Sequence, residues 1–142
     1  MSGDIAIGTE AIEDLFQQIG NEALALAGDD LGGKFMVFAE IEPGVIATDL
    51  LYINRRGQVQ LVLGPDHLGD LTYELWKQMK DHPGWQAWRV MTFMVEADLK
   101  NTIELKYPDQ VDEEEDYGDR RIRATREYFG DVEVIEPDDP FA

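Results

Sequence analysis

The side chains able to do chemistry are few in this chain, and they are mostly set apart. Its two histidines, His67 and His82, fall near opposite ends of one expected helix. About 15 residues at 1.5 Å rise per residue separate them by roughly 22 Å, too far for one metal or one base–orienter pair. They read as surface histidines. Serine occurs only at Ser2, which leaves no serine nucleophile of the triad kind. Pro65-Asp66 with Glu104-Leu105-Lys106 has the outward form of a Mg²⁺ nuclease signature. That site needs its carboxylates on adjacent strands sharing a metal. Here Asp66 opens a helix and Glu104 lies on the wetter face of a distant strand, so no nuclease activity is expected. Gly32-Gly33 precedes a strand instead of linking a strand to a helix, the wrong order for a phosphate loop.

Two charged segments remain. Between Asp109 and Asp119 seven of eleven residues are acidic. The core of this run is Asp112, Glu113, Glu114, Glu115 and Asp116, with Tyr117 beside it. It lacks the alternate ligand spacing and central glycine of an EF-hand loop, so it reads as a solvated loop or a surface for a basic protein. Tyrosine is enriched at interface hot spots, and these six residues are the candidate partner-binding site. Arg120, Arg121, Arg123 and Arg126 follow directly. Helix-face pairing with Glu127 and the preceding acids is the expected use of this basic cluster. A phosphate would have to compete with those carboxylates.

The whole chain is strongly acidic. Twelve Lys and Arg stand against thirty Asp and Glu, a net charge of −18. Nucleic acid and anionic membrane surfaces would be repelled, and a basic protein partner is favoured. No cofactor or metal is implied. Cysteine is absent, which excludes disulfides and thiolate metal sites and suits a reducing cytoplasm. No apolar stretch approaches the roughly 20 residues of a membrane span, and the first residues have no basic region or long apolar run of a signal peptide.

The elements that must position these residues follow from hydrophobic period and turn signals. Ile12, Leu15, Phe16, Ile19, Ala23 and Leu26 recur at helical spacing and predict a helix over Thr9–Ala27, with Thr9 as N-cap and Gly28 as stop. Lys34–Glu42 alternates, with Phe35, Val37, Ala39 and Ile41 on one face. Pro43-Gly44 and Asn54-Arg55-Arg56-Gly57 are turns, so strands at 45–53 and 59–63 complete a meander. Leu68, Leu71, Leu75 and Met79 mark a helix over Asp66–Lys80, stopped by His82-Pro83-Gly84.

The stretch from Trp85 to Tyr107 predicts a hairpin. Its first arm, Trp88–Val95, is apolar on both faces. Its second alternates through Ile103, Leu105 and Tyr107, and Ala97-Asp98-Leu99-Lys100 joins the arms. This hairpin is the expected centre of the sheet. Asp119 caps a last helix, Arg120–Phe129, closed by Gly130. Residues 131–142 form an acidic tail, expected to be extended or poorly ordered. The sum is a single α+β domain over 1–142. Its antiparallel sheet has about five strands packed by helices, in the order α-β-β-β-α-β-β-α.

The C-terminal half resembles the YezG-like immunity proteins, which neutralise secreted polymorphic toxins. The likeness is carried by Trp88 opening an apolar strand, by Asn101-Thr102-Ile103-Glu104-Leu105-Lys106-Tyr107 followed by acids, and by Arg120-Arg121 opening a helix that ends Glu127-Tyr128-Phe129-Gly130. Phe35 to Glu40, with its Phe-Ala-Glu end, is similar to the family's first strand. The likeness covers about two-thirds of the chain loosely and the last 45 residues better. Departures are Asp119 for the usual Glu, Arg126-Glu127 where the family is more aromatic and basic, and no aromatic near Arg123 and Ala124. The resemblance implies a non-enzymatic cytoplasmic antitoxin that covers its cognate toxin, with no particular toxin named. Many such toxins are nucleases with basic substrate surfaces, which an acidic inhibitor reaches quickly. The alternatives are a small acidic regulatory or scaffold module unrelated to toxins, and an enzyme whose site the motifs do not reveal.

Overall fold

Residues 35–41 are buried without interruption, which requires a strand covered on both faces. The chain, described by a computed structural model at residues 2–42, 45–82 and 86–136, builds its sheet around that strand. After helix α1 (Ser2–Ala27) come strands β1 (Leu31–Glu42), β2 (Val45–Asn54) and β3 (Val59–Leu63), then helix α2 (Asp66–Asp81). Strands β4 (Val90–Val95) and β5 (Asn101–Lys106), helix α3 (Tyr117–Phe129) and strand β6 (Val134–Ile135) follow. The sheet order is β5-β4-β1-β2-β3-β6. Every pairing is antiparallel except β3 with β6, where Val59 faces Val134 in parallel.

The two faces are built differently. Phe35, Val37, Ala39, Leu50, Tyr52, Met91 and Phe93 join Ile12, Ile19, Leu68, Leu75 and Met79 in one apolar layer, under α1 and α2. Trp88 closes its end, its carbonyl accepting from Trp76 Nε1 at 2.8 Å. The opposite residues, Met36, Phe38, Leu51, Val59, Leu61 and Val90, meet Phe129, Tyr117, Ala124 and Tyr128 from the α3 region.

The α+β class and the first eight elements stand as the sequence predicts; five details are corrected. Helix α1 starts at Ser2, well before Thr9, because Ile5, Ala6 and Ile7 continue the helix-compatible run. Helix α3 starts at Tyr117, and its cap is Asp116, whose Oδ1 accepts from Asp119 N at 2.8 Å. The expected cap, Asp119, lies within the first turn, where its charge suits the dipole. The tail contributes a sixth strand, since Val59 N donates to Glu133 O at 2.9 Å. The central strand is β1, and the β4–β5 hairpin is one margin of the sheet. The second arm has the expected wet face, but Ile103, on the face expected to be buried, is exposed as well. Pro43-Gly44, Pro83-Gly84 of the expected helix stop, Trp85 and residues 137–142 lie outside the described residues.

Gly32-Gly33 has a structural use. A Cβ on Gly32 would stand 2.4 Å from Asn54 O, and the β1–β2 register shifts just there, between Leu31 and Phe35. The pair lets two backbones close onto each other at an irregularity.

Candidate functional site

Two acids interrupt the apolar strands on the α3 face. Glu40 on β1 is 2 % exposed and Asp49 on β2 is 4 % exposed. Neither could stay buried as an unpaired charge, and α3 supplies what they need. Arg120, 7 % exposed, grips Glu40 with two prongs, Nη2 to Oε1 at 2.6 Å and Nε to Oε2 at 3.2 Å. This planar, bidentate match is the reason for an arginine and not a lysine here. Arg89, just before β4, places Nη2 3.1 Å from the same Oε1 and 3.3 Å from Glu42. Arg121 Nη1 donates to Asp49 Oδ2 at 2.9 Å, Tyr117 Oη donates to that oxygen at 2.7 Å, and Gly64 N donates to Oδ1 at 2.9 Å.

The six predicted partner-binding residues form the loop that closes this network. Arg120 Nη1 donates to the carbonyl of Asp112 at 3.0 Å and also to the carbonyl of Glu115. Arg89 Nη1 donates to Glu113 Oε1 at 2.7 Å. That contact holds the Glu113 carboxyl below its usual range and raises the Arg89 guanidinium. Glu115 Oε2 takes Arg123 at 2.7 Å. The Asp112 carboxylate accepts from Glu114 N at 2.9 Å, and Asp116 caps α3. Glu114 is exposed. Tyr117 is half-buried against Phe38, ring centroids 5.5 Å apart, with its hydroxyl turned inward to Asp49. Burial, then the Asp49 charge, pushes that phenol far above its ordinary value. The loop is therefore an acidic surface pinned from beneath by buried arginines, with its tyrosine serving as a packing anchor.

The arginine cluster is neutralised internally, in part as expected: the preceding acid Glu115 holds Arg123. The strand acids Glu40 and Asp49, and not Glu127, hold Arg120 and Arg121. The missed residues are Glu40, Asp49 and Arg89. Their signal in the sequence is an acid flanked by Ala39 and Ile41, and another flanked by Thr48 and Leu50.

Beside the network, α3 stands off from the β4–β5 hairpin and leaves a cleft of about 260 Å³. Val90, Thr92 and Met94 form its floor, Glu104 and Lys106 one wall, and Arg123, Glu127 and Tyr128 the other. Asp66 and Glu104 do not approach each other. Asp66 opens α2 on the first face after β3, and Glu104 faces the second from β5. Four strand spacings of about 4.8 Å, roughly 19 Å, separate their strands. His67 lies in a shallow hollow with Gln18, Asn21 and Glu22, and His82 follows the far end of α2. Among the described residues no group of three or more His, Cys, Asp or Glu could hold a metal. No helix among them is long and apolar enough to cross a membrane. The chain matches no protein-family model and no curated protein.

Proposed function

We propose that the protein is an immunity protein, a cytoplasmic antitoxin that binds a basic toxin domain and covers its active or substrate-binding surface. The observation that carries the reading is the acidic loop 112–116, held from below by Arg89 and Arg120 so that its remaining negative charge faces outward in one conformation. A loop fixed before binding costs little ordering entropy when a partner arrives. Four of the protein's twelve Lys and Arg are engaged in this network: Arg89, Arg120, Arg121 and Arg123 each hold a carboxylate. The surplus of acid thus remains available to steer a basic surface. The residues that resemble the YezG-like family support the same role.

The test is capture from the native host, with the bound protein identified by mass spectrometry, followed by co-expression. Recovery of a basic toxin whose growth arrest is relieved by this protein is the expected result. Capture of a partner that is not toxic would favour the scaffold role. Reversing Asp112, Glu114 and Asp116 to Lys should slow association, with the loss shrinking at 1 M salt, where the screening length is about 3 Å. Unchanged association at low salt by a folded variant would remove the loop from the interface.

A further inference from the structure

Among the described residues, no strand pairs with the outer side of β5 at one margin of the sheet. Strand β5 is the terminal strand, six residues long, without proline or bulge. Glu96 N bonds Lys100 O at 2.8 Å, and the register pairs Met94 with Thr102 and Thr92 with Glu104. By the alternation of antiparallel ladders, residues 102, 104 and 106 bond β4, while 101, 103 and 105 turn their N–H and C=O groups outward. Natural sheets usually blunt such an edge; the opposite margin, β6, has only two residues.

The flanks of β5 specify what could pair with it. On the first face Ile103, 40 % exposed, continues the apolar layer with half-buried Leu105. On the second face Glu104 borders the cleft, and Glu127 stands across it. Glu127 takes part in no ion pair among the described residues, and Glu96 and Asp98 flank the hairpin tip. Of the cations lining the cleft, Arg120 is held by Glu40, Arg123 by Glu115, and Lys106 stands at a loose 3.8 Å from Glu104, a contact that an incoming cation would share. The tip itself presents Leu99, 71 % exposed at φ 70°, a left-handed conformation that leucine adopts only at a cost.

We propose that β5 is the partner-docking edge. It would accept an extended segment of a basic protein as a seventh strand. Its basic side chains would point to Glu104 and Glu127, and the alternating apolar ones would rest on Ile103 and Leu105. Main-chain bonds supply affinity in this mode, and the two flanks supply the pattern. The basic character of the partner rests on the antitoxin reading; the edge itself does not.

The probe is a synthetic peptide of strand length alternating lysine and valine, titrated into isotopically labelled protein. Its controls are an aspartate–valine peptide and a blocked lysine–valine peptide of the same composition. Expected are shifts confined to β5, its hairpin and the cleft, protection of the Ile103 and Leu105 amides from exchange, and no binding of either control. Ile103→Pro removes an outward N–H without touching the β4 ladder and should weaken the peptide about tenfold or more. Glu104→Lys with Glu127→Lys should weaken it as well. Equal binding to a folded Ile103→Pro variant, or shifts that map elsewhere, would overturn the proposal. So would Ile103 and Leu105 amides already protected in a self-associated free protein. If the proline variant does not fold, the exchange measurement on the unaltered protein decides. No toxin is needed, so a failed peptide experiment leaves the antitoxin reading standing. Failed toxin capture with intact peptide binding would overturn that reading alone.

Discussion

The two faces of the sheet solve the same packing problem by opposite means. Under α1 and α2 the layer is almost wholly apolar, and polar links such as Thr48 Oγ1 to Thr72 Oγ1 at 2.8 Å and Trp76 Nε1 to Trp88 O at 2.8 Å join uncharged groups. Under α3 a smaller apolar cluster that includes Phe38 and Phe129 is shared with a set of buried charges around Glu40 and Asp49. An apolar face tolerates small shifts of its helices, because apolar contacts have no direction. A forked arginine on a buried carboxylate does not, since its hydrogen bonds fix angle as well as distance. The first face is a foundation. The second sets where the 112–116 loop and the cleft stand.

The sharpest way to break this contrast is Arg120→Ala, which leaves Glu40 buried with its main partner gone. Urea unfolding should show a loss of about 3–5 kcal/mol, whereas Glu40→Met with Arg120→Met should cost far less. An equal loss in the double variant would mean that packing, not charge, holds the second face. On the first face Phe93→Ala should cost about 3–5 kcal/mol, while Leu105→Ala at the half-buried margin should cost about 1–2. Equal costs would put β5 inside the core. Leu99→Gly should raise stability by up to about 1 kcal/mol by relieving the left-handed conformation, and should weaken any partner seated at the hairpin tip. The smallest effect concerns pH. Arg89 lowers the folded-state value for Glu113, so its contribution is present above the unfolded carboxylate value. It disappears as the pH falls through the folded one. Carbon-detected titration should place Glu113 below the usual carboxylate range, and Arg89→Gln should return it to that range.

The first face was legible in the sequence because its residues keep strict period. Phe35, Val37, Ala39 and Ile41 in β1, and Leu68, Leu71, Leu75 and Met79 in α2, fall where alternation and helical spacing put them. The second face was half-legible. Met36 and Phe38 already make β1 apolar on both sides, but Glu40 interrupts that run and hides its central place, so pattern alone favours the more continuous 88–95 stretch as the centre. Pattern alone cannot show that Glu40 and Arg120, 80 residues apart, belong to one network. The six acidic-loop residues were found as a segment. What they rest on was not, because their anchors are Arg120 on α3, which reaches the loop's own backbone carbonyls, and Arg89 just before β4, and no local motif announces either. The sixth strand escaped because two residues, Val134 and Ile135, give no period to read.

The span between Glu40 and Arg120 also bears on how the protein is made. At roughly 5–20 residues per second, a ribosome takes about 4–16 s to deliver Arg120 after Glu40. During that interval the meander and α2 can assemble their own layer. The other side of the nascent sheet carries two carboxylates with no counter-charge, so drying it out is unfavourable. Water stays on that side until the arginines arrive, which keeps the half-made sheet from burying it against the wrong neighbour.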